Sequence, residues 1–200
     1  MAENCNAELA GEFVRVCGHK PKQGVLGKWY LNYKDIDREA TQLANRNTKV
    51  SLLVLKAGAK LYKAGGNDKA HKVEHALAVG DFGNGYIHTD RYTVSYNGEN
   101  EMERIQEMVD GARLVSIEEM VDGGLSGELT FKIAGFESGM VITEDNFNSA
   151  ENSGTVSIAL ATKEGEEEAT GLKLFLLAGG VEATRTWINT NTYVAPEPAP

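Results

Sequence analysis

The sequence predicts a mainly β protein, an antiparallel β-sandwich or barrel with one or two short flanking helices. Short runs of strand length recur along the chain, glycine- or asparagine-rich turns separate them, and one segment alone shows a sustained helical period.

The elements follow in order. Val25-Leu26-Gly27-Lys28-Trp29-Tyr30-Leu31-Asn32-Tyr33 is aromatic-rich and close to alternating, as a half-buried strand requires. Ile36, Ala40, Leu43 and Ala44 fall at helical spacings, which predicts a short helix within Asp35–Asn47. Val50–Leu55 has strand composition, and the Gly-, Lys- and Ala-rich stretch Lys56–Lys72 reads as a long exposed loop or splayed hairpin. Asn84-Gly85 and Asn97-Gly98, both favoured tight-turn pairs, bracket a strand over Tyr86–Tyr96. Met102, Ile105, Met108 and Val109, with Glu101, Glu103 and Glu107 between them, make an amphipathic helix that ends at Gly111. Five more strands are expected at Leu114–Ile117, Leu129–Ile133, Met140–Thr143, Val156–Leu160 and Leu172–Leu176. Thr162–Gly171 between the last two reads as a charged hairpin tip, and the proline-rich residues 194–200 as an extended tail. No linker divides the chain, so one domain is expected over residues 1–193, with 1–24 as a candidate N-terminal arm.

The chain has 200 residues, 42% of them hydrophobic, enough to bury a core without staples. Cys5 and Cys17 fit no metal or redox spacing and read as ordinary thiols in a reducing compartment. No basic and apolar leader opens the sequence, so synthesis in the cytosol is expected. Its longest apolar runs fall far short of the roughly 20 residues of a spanning helix, so no membrane insertion is expected. Residues 118–200 carry 4 Lys/Arg against 14 Asp/Glu, while residues 1–117 carry 16 against 15. An acidic half of this kind repels phosphate and disfavours tight nucleic-acid binding.

Motifs of chemistry are few. His71-Lys72-Val73-Glu74-His75 matches H-x-x-E-H, in which two histidines one helical turn apart bind zinc and the glutamate acts as base. A zinc-dependent hydrolase using His71, Glu74 and His75 is therefore a distant alternative, although the segment is short and lacks an obvious third ligand. Asp81-Phe82-Gly83 stands without any other kinase motif, and Gly80, Gly83 and Gly85 lack the strand-turn-helix order of a nucleotide cradle. Glu164 to Glu168 lack the alternation of a calcium loop. No catalytic, metal or cofactor-binding residues are assigned, and Trp29, Tyr30, Tyr33, Trp187 and Tyr193 read as core or interface anchors.

Gly-Lys-Trp-Tyr-Leu-Asn-Tyr near the start, together with the Ser153–Leu176 segment and the overall element order, resembles bacteriophage or prophage virion proteins, most of all major tail tube subunits. The resemblance implies a sandwich or barrel with a flanking helix that assembles into stacked hexameric rings through sheet edges, loops and terminal arms. It implies no enzymatic activity and no cofactor. The partners would be further copies of the chain and other virion proteins, with DNA passing through the bore. By position, the candidate inter-subunit contacts are Lys60, Tyr62, Lys63, Trp29, Trp187 and Tyr193. Glu164, Glu166, Glu167 and Glu168 would form an acidic tip that repels DNA. A capsid decoration protein is the alternative within the same class.

Overall fold

The computed structural model describes residues 9, 11–13, 17–65, 70–80, 83–95, 98–150 and 154–195. The expectations for Cys5, for most of the N-terminal arm and for residues 196–200 lie outside these.

β1 (Val25–Asn32) organises the first sheet. It pairs antiparallel with β7 (Leu114–Met120) on one side and β4 (Tyr62–Ala64) on the other. The sheet has seven strands in the order β2 (Gln42–Ala44), β3 (Lys49–Leu52), β11 (Lys173–Phe175), β8 (Phe131–Ala134), β7, β1, β4. A second sheet has four, in the order β5 (His71–Gly80), β6 (Gly83–Val94), β10 (Val156–Ala161), β9 (Val141–Phe147). The ladders are antiparallel except β3 with β11, which is parallel. Neither sheet closes on itself, so of the two expected forms the sandwich is the one adopted.

Alternation along β1 gives the first sheet two buried faces. Trp29 and Leu31 turn to one side, where they join Val115, Ile117, Phe131, Ile133 and Phe175. This side is covered by α2 (Gly180–Asn191), whose Ile188 is fully buried and whose Trp187 meets Phe175 edge-on at 5.5 Å. Each such aliphatic or aromatic side chain contributes roughly 2 kcal/mol by leaving water. Tyr30, Leu114, Ala134 and Met140 face the other way and pack on Val73, Tyr92, Ile142 and Leu160 of the second sheet. The inner face of the second sheet continues past this contact to α1 (Glu99–Val109), whose Ile105 and Met108 cover Val94, Val156 and Ile158.

Several local expectations change. Asp35–Asn47 is not helical: Tyr33–Asp35 forms a single 3-10 turn, and Gln42–Ala44 is strand. Asn45, Arg46 and Asn47 adopt left-handed backbone, with φ of 52°, 55° and 64°. That reversal closes the β2–β3 pair, and no α-helix survives it. Within Lys56–Lys72, Leu61 is fully buried and Tyr62–Ala64 pairs with β1, so part of the expected loop is an edge strand. Asn84-Gly85 lies inside β6, paired with Val79 and Ala78, because the reversal falls earlier, between Gly80 and Gly83. Thr162–Gly171 is not a hairpin tip, since β10 and β11 belong to different sheets and the segment crosses between them. Trp187 lies on a helix that local spacing did not suggest.

Candidate functional site

Where the two sheets meet, the packing is interrupted by charge. Lys28 of β1, Asp90 of β6 and Glu118 of β7 are all at most 1% exposed. The Lys28 ammonium donates to Asp90 and lies 3.8 Å from a Glu118 oxygen. Burial pulls Lys28 down to about 8, against the opposing pull of Glu118. Burial likewise raises Glu118, although Lys28 holds it back. Neither oxygen of Glu118 has a hydrogen-bond partner among the described residues, and the same holds for the Tyr30 hydroxyl and His71 Nδ1. One cation thus serves two carboxylates in a dry seam.

A second polar knot ties the acidic crossover down. His88 is fully buried; its Nδ1 accepts from Gly135 N at 3.0 Å, which leaves Nε2 to donate to Thr170 O at 2.9 Å. This fixes the neutral tautomer, and burial holds the imidazole down at about 4. Glu168 exchanges backbone hydrogen bonds with Tyr86 and accepts from Glu137 N and Ser138 N through its carboxylate. Arg113 grips Glu166 through both guanidinium nitrogens, at 2.6 and 3.1 Å. The crossover is a strap bound to both sheets.

Two surfaces remain available for contact. The first is a cleft of about 750 Å³ between β4 and α1, lined by residues that include Tyr62, Tyr92, Tyr193, Arg104 and Met108. The second is the β5–β6 hairpin. β5 is one of the two outermost strands of its sheet, and beyond His75, which packs beside Leu172, its inner face loses cover, leaving Leu77 56% and Val79 78% exposed. The inner face of sheet two is therefore roofed by sheet one in the middle and by α1 at the Val94 end. At the hairpin end it is bare among the described residues.

The candidate residues distribute unevenly over this frame. Trp29 is 7% exposed and belongs to the chain's own core, which leaves it little surface for a neighbour, and Trp187 packs half-buried against that core. Tyr62 and Tyr193 are exposed and meet at 5.8 Å. Lys63 is exposed beside them, and Lys60 is half-buried. Glu164 and Glu166 face solvent and Glu167 is half-buried, but Glu168 is fully buried, a correction to the acidic tip that follows from its capping of two backbone amides. His71 and His75 lie on β5 rather than on a helix, about 13 Å apart along an extended strand, with Glu74 pointing to the opposite face. The helical premise of the zinc motif is not met. The buried Lys28, Asp90 and Glu118 were not singled out in the sequence. Lys28 sits at an inward position of a strongly apolar strand, and that is the signal that could have found it.

No protein-family model, curated protein or solved structure matches this chain. The class that the fold defines is a two-sheet, sandwich-like β protein with two short helices.

Proposed function

We propose that this chain is a self-assembling structural subunit, a phage tail tube protein whose copies join into stacked, six-membered rings. The observation that carries the reading is the β5–β6 hairpin: an outermost ten-residue strand whose inner face shows Leu77 and Val79 to solvent. An open strand edge beside an apolar surface favours pairing with another chain, and monomeric proteins usually blunt such edges with charge or proline. The resemblance of the opening and closing segments to tail tube subunits points the same way. In such a tube Glu164 and Glu166, the exposed acids of the strap, would face the bore and keep DNA from adhering.

Electron microscopy and sedimentation of the purified protein test this. Striated tubes or six-fold rings are expected, and the Leu77→Asp/Val79→Asp variant should sediment as a folded monomer. A wild-type protein that stays monomeric at all concentrations overturns the proposal, and one that binds only to capsids transfers the chain to the decoration class.

A further inference from the structure

Lys28 and Lys173 are both wholly buried, and they are held differently. The Lys173 ammonium has three acceptors at 2.6 to 2.7 Å, namely Glu137, Thr170 Oγ1 and Asn47 O, and Glu137 is open to solvent at its edge. Lys28 donates to Asp90, and beyond that reaches only Arg91 O at 3.4 Å, a marginal acceptor. The second oxygen of Asp90 and both oxygens of Glu118 lack hydrogen-bond partners among the described residues. Lys173 is therefore a satisfied structural ion pair. The Lys28 triad leaves much of its hydrogen-bonding capacity unused, which is costly for buried charge.

The register of the strands builds this contact. Lys28 stands opposite Glu118 across the β1–β7 ladder and has Ala64 on its other side. Asp90 comes from the second sheet, between its ladder partners Val73 and Leu160. An amine nitrogen is thus pressed against a carboxyl group in apolar surroundings, and a second carboxyl group lies 3.8 Å from the same nitrogen. Burial shifts Lys28 and Glu118 toward their neutral forms, an amine with a free lone pair and an acid with a proton to give. Groups held in reacting geometry gain effective molarities of roughly 10⁵ M or more, and bulk water does not enter the seam to reverse a condensation.

We propose that Lys28 and Asp90 condense into an intramolecular amide that joins the two sheets, with Glu118 carrying the protons. Lys28 Nζ attacks Asp90 Cγ, a C–N bond forms and one C–O bond of the carboxyl group breaks. Of the three ammonium hydrogens one stays on the amide; Glu118 takes the other two from nitrogen and passes them to the departing oxygen, which leaves as water. Nothing is oxidised or reduced, and the charges of the ion pair cancel. The amide N–H then has Glu118 beside it as acceptor. The bond closes a covalent loop between residues 62 positions apart, from β1 to β6. Chain that has not closed retains the ion pair, and the cost of removing Lys28 is reckoned against that open form.

The test is the intact mass of the purified full chain in denaturant, which reads the bond whether or not the chain assembles and so is separate from the assembly reading. The mass should be lower than that of the linear chain by one water, and a protease digest should yield Lys28 and Asp90 in a single branched peptide. Proton transfer of this kind is worth roughly 100-fold or more in rate, so Glu118→Gln, checked as folded by circular dichroism, should keep the full mass in most molecules. Asp90→Asn tests the same chemistry with a different leaving group: it should close with loss of ammonia instead of water. A wild-type chain that is folded and keeps its full mass overturns the proposal, as does a missing water that maps to other residues. A folded Glu118→Gln chain that closes as completely as wild type overturns the role of Glu118.

Discussion

Replacing Lys28 by Met removes the one cation that serves Asp90 and Glu118 while nearly conserving volume. The side chain is fully buried and its two carboxylates are at most 1% exposed, so bulk solvent does not reach the charge. Breaking a buried pair by removing one partner costs about 3–5 kcal/mol, whereas exchanging both partners for apolar groups is near neutral or stabilising. Lys28→Met should therefore lose about 4 kcal/mol at pH 7, and replacing all three groups, Lys28→Met/Asp90→Leu/Glu118→Leu, should recover most of it. The assay is urea unfolding followed by the fluorescence of Trp29, in the core, and Trp187, packed against it. With a slope near 2 kcal/mol per molar urea, the single variant shifts the midpoint by about 2 M. The pH dependence has a definite sign. Glu118 already sits above its ordinary 4.5 in the folded chain and rises further once Lys28 is gone, so the folded variant binds a proton that the unfolded chain releases. The variant should regain stability as pH falls toward 4.5 and lose it again on return to neutrality. A cost below 1 kcal/mol for the single variant, or a triple variant no more stable than Lys28→Met, refutes the reasoning.

Four further outcomes follow from the strap and the residues around it. His88 is held at about 4 against an ordinary 6.5, so the unfolded chain takes up the proton first as pH falls. About 3 kcal/mol should be lost between pH 6.5 and 4, and urea midpoints across that range should fall less steeply in His88→Gln, with His71, likewise held at about 4 by burial, supplying part of the remaining slope. Glu168→Ala leaves two buried-edge amides without their acceptor and should cost about 2–4 kcal/mol in chemical denaturation. Glu164→Ala should stay within about 0.5 kcal/mol. At Gly135, with φ of 68°, an added Cβ would lie 2.8 Å from Met140 Cγ and 3.2 Å from Leu114 O. Gly135→Ala should therefore lower the thermal midpoint by at least the equivalent of about 2 kcal/mol.

What could be read from the sequence was local. The three-and-four spacing of Met102, Ile105, Met108 and Val109 about Ile105 located α1, and alternation through Val156, Ile158 and Leu160 located β10 with its buried face. α2 escaped notice because Thr184, Thr186, Asn189, Thr190 and Asn191 are weak helix formers; the helix is held by Ile188 and Trp187 packing on the core rather than by propensity. Strand β4 escaped because three residues leave no period, and its pairing with β1 is fixed by a distant partner. The acidic segment looked solvated because composition shows charge but not the amides of Glu137 and Ser138 that Glu168 meets across the fold. For the same reason Lys28, Asp90 and Glu118 look like three unrelated surface charges until the sheets bring them together.

The parallel pairing of β3 with β11 joins Lys49 to Leu174 and Val50 to Phe175. During synthesis at about 5–20 residues per second, the first of these strands would wait roughly 6–25 s for its partner to be made. Val50, Leu53 and Leu61, all buried in the finished protein, have no completed sheet to enter over that interval, because β11 and the α2 roof come from residues 173–191. Nascent chains are therefore most exposed to misassembly and most in need of chaperones just before this segment is made. Premature truncation upstream of Lys173 should yield aggregates rather than a smaller folded unit.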